Sequence, residues 1–287
     1  MGGEGLTSGV AALVLASAVL HAAWNAMVKV QAERTVVFLL MHMTTAIAGG
    51  TLIVVLDLPM LPAAAWPYLG VSLLVKCVYW ASIVRAYAHG DFGQVYPIMR
   101  GTAPALVAVG AFAFAGEGLA AASWCGVALV SAGIWSLAFG RSAAKDSRAL
   151  VAAFLTAGSI AAYSVIDGLG VRVAGDPHAF ACWMFTVEVV AIGAYCLARV
   201  GPRAIVARSR GLWPAAALGG LMSMAAYWIV LWAMARAPLG PVIALRETSV
   251  VFAALIGTLL FREPLGVARI VAACVVAAGV VLIKLGS

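Results

Sequence analysis

Ten long, predominantly apolar runs follow one another along this chain, and they constrain its fold more than any other feature. They lie near residues 8–30, 35–56, 66–88, 94–115, 119–139, 149–171, 178–199, 212–236, 240–261 and 266–284. A helix of about 20 apolar residues crosses the hydrocarbon core of a bilayer. The runs are too long for the strands of a transmembrane barrel, and they lack its alternation. The predicted fold class is therefore an all-α membrane protein with about ten transmembrane helices.

Composition excludes a soluble globular protein. Apolar residues make up 64% of the chain and charged residues 10%, against roughly 45–50% and 25% in soluble domains. Only residues 140–148 and 199–211 have the composition of solvated connections, so we expect no extramembrane domain. The first run resembles the core of a signal peptide, but residues 1–9 carry no Lys or Arg. We therefore expect it to be the first span.

The formal net charge of +7 comes from cations scattered among helix ends, so nucleic acid is not an expected partner. Nine of the 18 Lys and Arg residues fall in connections that follow odd-numbered spans: Lys29, Arg34, Arg141, Lys145, Arg148, Arg199, Arg203, Arg208 and Arg210. The other connections carry chiefly Arg172, Arg236 and Lys284. The positive-inside rule then places the odd-to-even connections in the cytoplasm and both termini outside. The expected location is the inner membrane, with multiple passes.

The two halves of the chain share a pattern. With an offset of 147 positions (Gly240 against Gly93) and one single-residue slip, residues 86–119 align with residues 233–266. The aligned segments share a Gly at a turn, an Arg in the first turns, and Gly, Phe and Glu at the far end. We predict a five-helix repeat at 1–140, a linker at 141–148 and a second repeat at 149–287. Five spans per copy would insert the copies in opposite directions, so that a site between them opens alternately to either side.

The turn at residues 237–240 (APLG) and the endings Gly116-Glu117 and Arg262-Glu263-Pro264 occur at matching places of the two copies. With ten spans, they resemble the EamA-type branch of the drug/metabolite transporter superfamily. The resemblance implies helices around a central cavity, with the fifth and tenth helices peripheral, and export of amino acids, other metabolites or drugs. It suggests the branch that exports aromatic and other apolar amino acids. It also implies cytoplasmic termini, which contradicts the loop charges.

Three charges lie two turns or less inside their spans at equivalent places of the two copies: Arg100, Arg246 and Glu247. Burying them requires a partner or a water-filled cavity. Either they border the cavity, with Arg246 attracting a substrate carboxylate, or they form an ion pair that fixes packing. Other charges stand at helix ends and are expected to be interfacial anchors or caps: Glu117, Arg262 and Glu263.

Lys76 and Glu188 lie near the middles of the third and seventh spans. A cation at that depth costs about 2.5–3.5 kcal/mol on insertion scales. Two interpretations are open. The two residues pair across the halves, or Glu188 exchanges a proton that drives transport.

Aromatic and polar residues deep in matched helices are the candidates for an apolar substrate pocket. With Arg100 and Arg246, the predicted substrate-binding set is Trp24, Asn25, His42, Tyr79, Trp80, Tyr96, Tyr163, Trp183, Tyr227 and Trp228. For each residue the alternative is ordinary helix packing. Aromatic residues near helix ends are assigned to the interfacial belts: Trp66, Tyr68, Trp124, Trp135 and Trp213.

Motifs for other functions are missing from the sequence. It contains no G-x-x-x-x-G-K-[ST], no H-E-x-x-H, no G-x-S-x-G and no C-x-x-C, so we expect neither an ATP-driven pump, nor an enzyme, nor a metal or other cofactor. Partners are a small-molecule substrate and membrane lipid. Small residues on the last span allow a monomer or a weak homodimer. The alternatives to an amino-acid carrier are an exporter of other metabolites or cationic drugs, a passive channel and, without a motif in its favour, an intramembrane enzyme.

Overall fold

The structure is a computed structural model that describes residues 5–29, 31–90, 92–138, 146–261 and 266–287. These ranges fold into helices and contain no strand. In chain order the α-helices are α1 Ser8–Lys29, α2 Arg34–Val55, α3 Trp66–His89, α4 Phe92–Ala115, α5 Ala121–Ser136, α6 Ser147–Ala174, α7 Pro177–Arg199, α8 Pro202–Ser209, α9 Trp213–Met234, α10 Leu239–Glu247, α11 Ser249–Phe261 and α12 Val267–Leu285. The all-α membrane fold class is confirmed.

Nine helical segments of the described ranges are long and apolar enough to cross a membrane, and α5 is a shorter apolar helix. With α5 counted as the fifth of ten spans, the ninth span consists of α10 and α11, which meet at Thr248. The backbone N–H and the hydroxyl of Thr248 both donate to the carbonyl of Leu245, at 3.2 and 2.6 Å. This tight turn ends α10 directly after Arg246 and Glu247. Short α8 lies in the connection 199–211, where the composition predicts a solvated segment, and none of its residues is buried.

The chain begins and ends at the same face of the bundle. The Lys284 ammonium donates to the carbonyl of Leu6 at 2.7 Å, and the Ser287 hydroxyl lies 3.4 Å from the same oxygen. The nine spans and α5 together make ten crossings, and an even number of crossings returns the chain to the face on which it began. We call this face the terminal face. The opposite face, where α5 ends and α6 begins, is the linker face.

The helices of one half pack mainly on helices of the other. The main pairs are α3 with α6, α1 with α9, α2 with α7 and with α9, α5 with α12, α4 with α6 and with α10, and α1 with α10 and α11, and α3 also touches α7. Each helix of the first half has a counterpart in the second: α6 for α1, α7 for α2, α9 for α3, α10–α11 for α4 and α12 for α5. When every helix is replaced by its counterpart, the same set of pairs results. This symmetry supports two repeats with the boundaries 1–140 and 149–287, which we propose as the domain organisation.

Glycines allow a close approach between the halves where α5 crosses α12. A Cβ atom on Gly126 would lie 2.6 Å from the Gly279 carbonyl oxygen, and one on Gly279 would lie 2.7 Å from the Gly126 oxygen. Small residues at such a crossing let two membrane helices pack backbone against backbone. The fifth and tenth spans are therefore joined to each other.

Candidate functional site

Six charged side chains from five helices meet inside the bundle, in the region where α3, α4, α6, α7 and α10 converge. Three are cations and three are anions: Lys76, Arg100 and Arg246, with Asp167, Glu188 and Glu247. The side chains of Asp167 and Glu247 are fully buried, and those of Lys76 and Glu188 are 13% and 15% exposed. Charges so far from water require compensation by one another or by a ligand.

Two arginines share one carboxylate. Arg100 Nε lies 2.8 Å from one oxygen of Glu247, and Arg246 Nη1 lies 3.8 Å from the other. Arg100 and Arg246 are the residues that the repeat aligns. Arg100 Nη2 also donates to Nε2 of His21 at 2.9 Å and contacts the Ser249 hydroxyl at 3.4 Å. We name Arg100, Arg246 and Glu247 the arginine group, and its formal net charge is +1.

Arg246 has the longer ion pair with Glu247 and no side-chain hydrogen bond like those of Arg100 Nη2. Its Nη1 atom is buried without a hydrogen-bond partner among the described residues, as are Nε of Arg100 and both Glu247 oxygens. Its guanidinium lies 5.2 Å from the ring centre of Tyr227. Because a guanidinium binds carboxylates through paired N–H donors, this group is suited to an anionic ligand.

Two carboxylates share one ammonium on the other side of the site. Lys76 forms ion pairs with Asp167, at 3.3 Å, and with Glu188. The Tyr227 hydroxyl donates to Oδ2 of Asp167 at 2.6 Å. The other Asp167 oxygen is buried without a hydrogen-bond partner among the described residues, as is the hydroxyl of Ser164 one turn earlier. We name Lys76, Asp167 and Glu188 the lysine group, and its formal net charge is −1.

Tyr227 stands between the two groups. The Lys76 ammonium lies 5.4 Å from its ring centre, close to the 5.2 Å distance of the Arg246 guanidinium. Lys76 is also 5.4 Å from the ring centre of Tyr163, which packs edge-on against Tyr79 at 6.0 Å. Tyr79 in turn packs on Trp80 at 5.4 Å. The site is thus a pair of opposite charges lined by aromatic rings.

Other predicted residues form a layer around this centre. Tyr96 lies 6.0 Å beneath the guanidinium of Arg100. Trp24 packs edge-on against His21, and the Asn25 amide donates to the His21 carbonyl at 2.7 Å. His42 contacts the carbonyl of Phe38 on its own helix and packs against Trp80.

Two predicted residues do not join the central charges. The Trp183 indole donates to the carbonyl of Pro59 at 3.2 Å and packs against Trp66, in the connection between α2 and α3. The Trp228 indole donates to His178 at the start of α7, at 3.0 Å. Both contacts lie towards the terminal face, and we leave these two tryptophans out of the proposed site.

Of the three charges that were predicted to lie at helix ends, only Glu117 lies within the described residues. Glu117 forms an ion pair with Arg172 at 2.6 Å and accepts the backbone N–H of Leu239 at 2.7 Å. It thereby caps α10 and ties the end of α4 to the start of the ninth span. Arg262 and Glu263 lie outside the described residues.

Asp167 is the central residue that the sequence analysis missed. It is a single carboxylate within the apolar run 149–171, so the argument that selected Glu188 applies to it equally. Ser249 was missed as well, and nothing in its neighbourhood distinguishes it from a packing residue.

Comparison with known proteins now identifies the architecture. Residues 147–285 match the EamA-like transporter family. The second half of the chain is an EamA-like transporter domain. A solved crystal structure shares the fold with a TM-score of 0.76 and 16% identity, over 96% of this chain and 95% of that chain. No curated protein matches the chain significantly in sequence. The chain is therefore a multi-pass membrane protein whose second half is an EamA-like transporter domain of the drug/metabolite transporter superfamily.

Proposed function

We propose that this EamA-like transporter exports amino acids with aromatic or other apolar side chains across the inner membrane by alternating access. One observation carries the proposal. The arginine group has one positive charge in excess, the lysine group has one negative charge in excess, and Tyr227 separates them. A zwitterionic amino acid has the complementary pair of charges.

The arrangement assigns a role to each group. The Arg246 guanidinium binds the substrate carboxylate through its unpartnered donor, and Asp167 with Glu188 binds the substrate ammonium. Charge-assisted hydrogen bonds are strong in such a low-dielectric interior. Tyr79, Trp80 and Tyr163 offer ring faces and edges to an apolar side chain. Net charge stays balanced when the zwitterion binds.

The same contacts give a physical basis for alternating access. Arg100 and Lys76 belong to the first half, whereas Glu247, Asp167 and Glu188 belong to the second. Each central ion pair other than Arg246–Glu247 therefore joins the halves. A substrate ammonium that binds Asp167 and Glu188 competes with Lys76 and weakens these two connections across the interface, so binding can be coupled to movement of the halves.

Substrate analogues test the proposal in liposomes. We expect saturable counterflow of phenylalanine, and at least tenfold weaker exchange of 3-phenylpropionate, which lacks the ammonium, and of 2-phenylethylamine, which lacks the carboxylate. Exchange of the amine as fast as phenylalanine would replace the proposal with transport of organic cations. Non-saturable flux without counterflow would indicate a passive channel instead.

The lysine group also supports proton coupling, because two carboxylates there share one ammonium. The groups that face Glu188 and Asp167 are Lys76 from α3, Tyr163 from α6, Met184 from α7 and Tyr227 from α9. Uptake of one proton would cancel the excess negative charge. Proton and substrate ammonium would then compete for the same carboxylates.

A pH gradient across the liposome tests this coupling. We expect a gradient with the acidic side opposite the substrate to stimulate phenylalanine flux, and Glu188→Gln to remove the stimulation because the amide binds no proton in this pH range. Counterflow without a gradient should persist in this variant, since Asp167 still pairs with Lys76. If the pH-driven flux of Glu188→Gln equals that of the unmodified protein, Glu188 is not the proton site.

A further inference from the structure

A continuous groove runs along the outer surface between α3 and α6, outside the transport site. Its deeper part, which lies nearer the middle of the two helices, has a volume of about 580 Å³. A second hollow of about 330 Å³ continues it towards the linker face, and the two share Val151 and Leu155. From Arg148 to Ala162 the groove follows α6 for about 20 Å, more than the hydrocarbon depth of one leaflet, which is about 15 Å.

The deeper part of the groove is apolar and open. Its walls are formed by Val75 and Val78 of α3 and by Phe154 and Leu155 of α6, of which Phe154 is 45% and Leu155 55% exposed. Gly158 of α6 lines the same part of the groove, and a Cβ atom added there would meet no other atom within 4 Å. The missing side chain therefore leaves room for a hydrocarbon chain.

The end of the groove at the linker face is cationic. Arg85 and His89 from the last turns of α3 line it together with Ser147 and Arg148 from the first turn of α6. Both arginines are exposed, and in the described part of the chain neither guanidinium has a carboxylate in ion-pair contact. The neighbouring carboxylate of Asp146 accepts the backbone N–H of Arg148 at 2.9 Å.

We propose that this groove binds one anionic phospholipid. Its phosphate lies between Arg85 and Arg148, and one acyl chain follows the groove past Gly158. Charge complementarity selects the anionic headgroup, and the apolar length selects a chain over a soluble anion. Because α3 and α6 belong to different halves, the lipid bridges the interface that must change during alternating access. This inference is independent of the proposed substrate.

Native mass spectrometry of the full-length protein in detergent provides the test, with equimolar phosphatidylglycerol and phosphatidylcholine as probes. We expect one phosphatidylglycerol to remain bound, with at least a fivefold preference over phosphatidylcholine. Arg85→Gln combined with Arg148→Gln should remove the preference. Arg203→Gln, an exposed arginine of α8 at the same face, should preserve it.

A second pair of variants tests the chain site. Gly158→Leu should reduce retention of both lipids several-fold, because the leucine fills the groove without meeting protein atoms. Gly193→Leu on α7 is the matched control, since an added Cβ there also meets nothing within 4 Å. Equal retention by Gly158→Leu and Gly193→Leu overturns the proposal. A change of oligomeric state in Gly158→Leu without loss of lipid also overturns it and assigns the groove to a second copy of the chain.

Discussion

Glu247→Gln is expected to destabilise the transporter severely, by about 3–5 kcal/mol, the range for removing one partner of a buried ion pair. The substitution leaves Arg100 and Arg246 buried near each other with no carboxylate between them. Thermal unfolding of the purified protein in detergent, followed by the loss of monodisperse protein on size exclusion, measures the effect. The unfolding midpoint should fall by several degrees or more.

Two comparisons separate this effect from a general cost of the substitution. Glu33→Gln breaks the exposed ion pair with Arg208, whose atoms lie 3.3 Å apart, and such surface pairs contribute about 1 kcal/mol or less. Combining Arg100→Gln with Glu247→Gln removes one cation with the anion and should recover much of the stability. If Glu247→Gln unfolds at the same temperature as Glu33→Gln, Glu247 does not hold the arginine group together.

Span positions were predictable because the bilayer fixes the length of an apolar helix. The ten runs overlap the observed spans, with the fifth shortened to Ala121–Ser136. The break at Thr248 was not predictable from the run 240–261, which is apolar up to Leu245 and again from Val250. The turn there depends on local hydrogen bonds to Leu245 and on the burial of Arg246 and Glu247, which apolar periodicity does not encode.

Part of the charged centre was predictable as well, because the bilayer makes a charge inside an apolar run costly. Depth in an apolar run identifies a costly residue, and it selected Lys76, Glu188, Arg100, Arg246 and Glu247. It does not reveal which helices lie side by side, so the sharing of Lys76 between Asp167 and Glu188 depends on tertiary packing. Depth in a run does not identify which aromatic residues line a pocket, because an aromatic side chain packs equally well against a connection between helices. Trp183 and Trp228 illustrate this, because their indoles bond to Pro59 and His178.

Arg246→Gln is expected to weaken recognition of the substrate carboxylate strongly while leaving the protein folded. The remaining Arg100 and Glu247 still form their 2.8 Å ion pair, so no buried charge loses its partner. Removing the cation that faces a buried carboxylate costs about 2–5 kcal/mol of binding, which corresponds to a rise in the KM for phenylalanine of about 30-fold or more. Counterflow in liposomes measures this KM.

The control for this variant is Arg236→Gln, which removes a guanidinium that lies over the ring of Trp232 at the end of α9, away from the arginine group. Its KM should change by less than threefold. Because Arg246 binds only the carboxylate in this proposal, the weak exchange of 2-phenylethylamine should survive in Arg246→Gln. If that amine and phenylalanine lose exchange to the same extent, Arg246 acts on the helix break at Thr248, and the substrate carboxylate binds elsewhere.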